Sequence, residues 1–85
     1  MKKSARCNYR IVHRPKTEPL LGHMIHEVFY DEEGKVVHYV DTPVVPTGDI
    51  PDELYEDVSN MMRAFDEEPL NLDYIDYLLS RKDEV

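Results

Sequence analysis

Apolar and polar residues alternate from Asn8 to Arg14. Tyr9, Ile11 and His13 point one way, and Arg10, Val12 and Arg14 the other. A period of two with aromatic and β-branched residues predicts a strand. His23 to Tyr30 predicts a second. Met24, His26, Val28 and Tyr30 share one face, and Ile25, Glu27 and Phe29 the other. Between them, Pro15 and Pro19 disfavour regular structure. The polar stretch Asp31-Glu32-Glu33-Gly34-Lys35 predicts a hairpin closed by a type I turn, with Gly34 at a left-handed position. Val36 to Asp41 then returns as a third, antiparallel strand. Pro43 and Pro46 make Thr42 to Gly48 an exit along the sheet edge.

The period changes after Gly48. Leu54, Val58, Met61, Met62 and Phe65 fall at offsets 0, +4, +7, +8 and +11. That is one stripe of a 3.6-residue repeat, so an amphipathic helix is expected. Pro51 suits its first turn, Asp49 is the expected cap, and Asp52 and Glu53 favour the positive end of the dipole. Pro69 stops it. Residues 70–80 predict a shorter helix carrying Leu72, Ile75, Leu78 and Leu79, with Asn71 as its cap. Eleven residues are marginal alone and need a surface to pack on. The predicted fold is α+β: a three-stranded antiparallel sheet in β-β-β-α order, the amphipathic helix packed on one face, and a short C-terminal helix. One domain over 1–85 is expected, with 1–7 and 81–85 frayed.

Length and charge narrow the function. A chain of 85 residues has room for one domain and a small core, with roughly 60–65% of its unfolded surface buried. No apolar run approaches the length of a membrane span, and the N-terminus does not read as a secretory signal. One cysteine excludes a disulfide within the chain. The expected compartment is the cytoplasm. The net charge of −8 is unevenly spread. Residues 1–16 carry Lys2, Lys3, Arg6, Arg10, Arg14, Lys16 and no acid, whereas residues 17–85 carry all 18 acids and a net −14. Such a body disfavours nucleic-acid binding, which leans on phosphate neutralisation. It favours a partner with a basic surface. Whether the basic segment screens the acidic helix within one molecule is the structural question.

Catalytic chemistry finds little footing. His23 and His26 stand three apart on a strand and so point to opposite faces. With one cysteine and no second close histidine pair, His13, His23, His26 and His38 read as surface residues rather than a metal site. Arg6 and Arg10 near Cys7 would favour a thiolate, but a nucleophile needs a positioned base. Acid pairs such as Asp31/Glu32 and Asp52/Glu53 fit a turn and a helix start. No phosphate-cradling glycine loop is present. The expectation is a protein that is not an enzyme, with no cofactor and no metal.

The run Ile25-His26-Glu27-Val28-Phe29-Tyr30-Asp31-Glu32-Glu33-Gly34-Lys35, with Pro43-Val44-Val45-Pro46-Thr47-Gly48-Asp49 and a helix from Glu53-Leu54, resembles a group of small uncharacterised bacterial and phage proteins. The resemblance covers residues 25 to about 70 and brings no assigned activity. More loosely, Gly48-Asp49 leading into an acidic helix is similar to HicB-type antitoxin domains. Pro43-Val44-Val45 stands where that family has a Pro-Gly-Cys element. This likeness implies the strand-strand-strand-helix layout and a toxin-neutralising role.

Six tyrosines, no tryptophan and two phenylalanines add an amphipathic, interface-prone surface. The sequence therefore predicts a small acidic protein-interaction module, with a homodimer as one form. Its binding residues would be Asp52, Glu53, Glu56, Asp57, Asp66, Glu67, Glu68, Tyr74 and Tyr77. The alternatives are a phage-type inhibitor, anti-restriction or anti-CRISPR-like, that mimics nucleic-acid charge, and a HicB-like antitoxin domain.

Overall fold

The computed structural model describes residues 6–81. The chain is α+β, with a four-stranded mixed sheet and two α-helices. Strand β1 is Arg6–His13, β2 His23–Tyr30, β3 Val36–Tyr39 and β4 Leu70–Asn71; helix α1 is Pro51–Met62 and α2 Leu72–Arg81. The order across the sheet is β3-β2-β1-β4. β1 and β3 pair antiparallel to β2, and β4 pairs parallel to β1 through Val12↔Leu70 and His13↔Asn71. This corrects the expected three-stranded antiparallel sheet. Two residues are too few to show any periodicity, and Leu70-Asn71 was absorbed into the predicted C-terminal helix.

β2 has the predicted bounds. β1 begins earlier, so Arg6 and Cys7, expected to fray, pair with Tyr30 and Phe29. Arg81 closes α2 rather than fraying. The remaining residues expected to fray, 1–5 and 82–85, lie outside the described residues. The hairpin follows the prediction. Asp31 Oδ1 accepts from the Glu33 and Lys35 amides, and Gly34 sits at φ 85°, where a Cβ would be strained. Beyond β3, the Val44 amide donates to the Ile25 carbonyl, so the exit does track the sheet.

The core lies on the face of Val12 and Val28. These two residues and Tyr39 cluster with Leu72 and Ile75 of α2, and Met24, Val36, Leu70 and Leu79 pack around them. Burying one Leu72-sized side chain contributes roughly 1.5–3 kcal/mol. The sheet therefore supplies the surface that the ten-residue α2 needs. Asn71 caps α2 as predicted, its Oδ1 accepting the Tyr74 amide at 3.2 Å.

Helix α1 departs from expectation. Its stripe was expected to face the sheet, yet only Met61 is buried; Leu54 and Val58 are 40% exposed, Met62 60% and Phe65 66%. Its anchorage is narrow. Met61 is buried, as is Ala64 in the 3-10 turn Arg63–Asp66, and the Tyr9 hydroxyl donates to Asp57 Oδ1 at 3.4 Å. The physical reason is the pleat. Tyr9, which α1 touches through Asp57, lies with its neighbour Glu27 on the face of the sheet opposite Val12 and Val28, and it is α2 that covers the Val12/Val28 face. Asp49 is not the cap either. Ile50 holds the N-cap position without a side-chain bond, and Glu53 Oε1 reaches back to accept the Asp49 amide at 2.9 Å. The preceding loop lies so close that a Cβ on Gly48 would come 2.3 Å from the Leu54 nitrogen.

Candidate functional site

Four of the predicted binding acids lie on α1. Pro51 and the loop pressed against it set where the helix starts, which places Asp52, Glu53, Glu56 and Asp57 on its first two turns. Asp57 is held in place, its Oδ2 accepting the Thr47 amide at 2.9 Å and its Oδ1 the Tyr9 hydroxyl. Burial, then the nearby Asp57 and Glu27 carboxylates, raise the Tyr9 hydroxyl above its ordinary range. Glu53 is fixed by the Asp49 amide. Asp52, Glu56 and Asp66 are exposed. Asp49, Glu53, Glu56 and Asp57 together line an open cleft of about 440 Å³.

Among the described residues, the basic segment forms no ion pair with this helix. Arg10 is only 8% exposed; its guanidinium lies 3.3 Å from Glu67 Oε1 and donates to the Glu68 carbonyl at 2.7 Å and to the Tyr30 hydroxyl at 2.9 Å. Arg14 donates to Asp76 Oδ2 at 2.6 Å and to the Tyr39 hydroxyl at 2.7 Å, and lies 3.9 Å from Glu18. The Lys16 amide and the Thr17 amide and hydroxyl all donate to Asp73. The Thr17 hydroxyl, foremost, and these amides hold the Asp73 carboxyl below its usual value. Among the described residues, no ion pair joins Arg6, Arg10 or Arg14 to an acid of α1. Glu67 and Glu68, predicted as binding residues, are exposed and also hold Arg10, Glu67 through its carboxylate and Glu68 through its backbone carbonyl.

Tyr74 and Tyr77 lie on α2, exposed by 58% and 56%, with Arg81 5.5 Å over the Tyr77 ring. The predicted residues thus fall on α1, on residues 66–68 after it and on α2. Tyr39, by contrast, is buried and joins the core to the Arg14–Asp76 pair.

The histidines were expected at the surface. His13 and His23 face each other across β1 and β2 with rings stacked at 4.6 Å. His26, however, is 3% exposed, and its Nδ1 lies 2.8 Å from the Val40 carbonyl. It stands directly opposite Arg10, and both residues carry a buried nitrogen without a partner, His26 Nε2 and Arg10 Nε. Among the described residues, no three His, Cys, Asp or Glu side chains gather as metal ligands. Cys7 is not activated by its arginine neighbours. Partial desolvation, then the adjacent Glu27 carboxylate, push its thiol up and keep it protonated. Among the described residues, no helix is long and apolar enough to cross a membrane.

Sequence reasoning placed Leu54, Val58, Met62 and Phe65 in the core, and so missed them as surface. A warning was present in the strands. Glu27 pairs with Tyr9 on the face opposite Val12 and Val28, which puts a charge in the stretch of sheet that α1 meets. Comparisons of the chain with protein-family models, curated proteins and solved structures find no match.

Proposed function

We propose that this protein is a non-catalytic interaction module that binds a partner with a basic surface through the acids of α1. One observation carries the reading: Arg10 and Arg14 are committed to Glu67, Asp76 and Glu18, and among the described residues no arginine of the basic segment forms an ion pair with α1. Asp52, Glu56 and Asp66 therefore keep their charge available to another molecule, while Glu53 and Asp57 are already held in place by backbone amides. Complementary charge of this kind speeds association and selects partners. Tyr74 and Tyr77 offer a second, amphipathic contact. Affinity capture from the native host, with the intact protein and with Asp52→Lys/Glu56→Lys, tests this. A partner retained by the first and lost by the second, and lost in high salt, is the expected result. Equal retention by both contradicts it.

The gathering of Asp49, Glu53, Glu56 and Asp57 around one cleft favours a second reading. In it the carboxylates stand in for phosphates and inhibit a nucleic-acid-binding enzyme. Competition of the captured partner with duplex DNA separates the two: only the mimic is displaced.

A further inference from the structure

The acids account for one side of α1 and leave its apolar side unexplained. Leu54, Val58, Met62 and Phe65 lie at offsets 0, +4, +8 and +11, so they share one face of the helix and its continuation. All four are 40–66% exposed, and Ile50 and Tyr55 beside them are 53% and 74% exposed. From residue 50 to 65 the strip is about 22 Å long at the rise of an α-helix. An exposed apolar strip rimmed by polar residues marks an interaction site. Its border carries Asp52 at one end, Asp66 at the other and Glu56 behind, none with a cation among the described residues.

We propose that this strip is the docking site for a basic amphipathic helix of another protein, seated helix against helix. The inference rests on the interaction-module reading above and adds the occupant. The strip's length and i, i+4 spacing match the anchors of helix-in-groove recognition. Charge decides against a second copy. Two such strips face to face would bring Asp52 and Asp66 of both chains together, between molecules that each carry −8. A helix with leucines on one face and lysines flanking them meets both features at once.

Three 18-residue peptides test this by fluorescence anisotropy with the full chain: one with Leu and Lys faces, one with Glu in place of Lys, and one with Ser in place of Leu. The Leu/Lys peptide is expected to bind at least about tenfold more tightly than the other two, a difference of 1.4 kcal/mol. Phe65→Glu, and separately Tyr55→Glu, should weaken it by a similar factor with an unchanged circular dichroism spectrum. If the Ser/Lys peptide binds as tightly as Leu/Lys, the docking strip is wrong while the acidic-surface reading stands. If Leu/Glu equals Leu/Lys, or nothing binds, both fall. A dimer seen by light scattering that Phe65→Glu dissolves would make a second copy the occupant and overturn the proposal.

Discussion

Arg14 and Asp76 lock the end of β1 to α2, with Nη1 2.6 Å from Oδ2. Tyr39 closes the triangle, its hydroxyl donating to Asp76 Oδ1 and accepting from Arg14 Nη2. Burial of Tyr39, then its bond to Asp76, raises the phenol above its ordinary value, and Asp76 foremost raises Arg14. Both bonds to Asp76 are charge-assisted, which makes them stronger than neutral ones. Asp76→Ala is expected to lower stability by about 1.5–3 kcal/mol, and Tyr39→Phe by about 1 kcal/mol. Thermal unfolding checks both, at roughly 4–8 °C per kcal/mol for a domain of this size.

Leu72 tests which helix closes the core. It is 1% exposed and sits among Val12, Val28 and Ile75. Leu72→Ala is expected to cost about 2–5 kcal/mol, a large share of the stability of a small domain. Urea unfolding with an unchanged m-value and a lower midpoint is the expected signature.

Gly48 tests the start of α1. A methyl group there would meet the Leu54 nitrogen at 2.3 Å, which only a backbone shift relieves. Gly48→Ala is expected to cost about 1–3 kcal/mol, as overpacking does. It should also reduce helical ellipticity, because the shift falls on the first turn of α1.

Asp73 ties the loop after β1 to α2 and sets a pH dependence. Its carboxyl titrates lower in the folded chain than the ordinary value of 3.8. The folded state therefore favours the ionised form. That contribution is complete well above pH 3.8 and is lost as pH falls through the lowered folded value. At pH 7 Asp73→Ala should be less stable than the parent, and the gap should close in acid below 3.8. Melting curves of both proteins from pH 7 to 2 check the sign.

Legibility followed length and local chemistry. β2 and the Asp31–Lys35 hairpin were readable because eight patterned residues and one obligate glycine are local signals. Asn71 was readable as a cap for the same reason. β4 was not, since a two-residue parallel pair exists only through its neighbour β1. The periodicity of α1 correctly announced a helix with an apolar side. It could not say what covers that side, because the face each helix reaches is set by the tertiary fold, with α2 on the Val12/Val28 face and α1 touching Tyr9 on the other. The acids Asp52 and Glu56 were legible as charge, whereas the exposed Met62 and Phe65 beside them were not legible as surface.

The central claim is that Met62 and Phe65, on the apolar side of α1 and its continuation, are surface in the isolated protein although Met61 beside them is buried. Thermal unfolding of Met62→Glu/Phe65→Glu beside the parent tests it most directly. The account predicts melting temperatures that agree to within the roughly 0.5 kcal/mol expected of surface substitutions. A loss of several kcal/mol, on the scale of Leu72→Ala, would place those side chains in the core and contradict it.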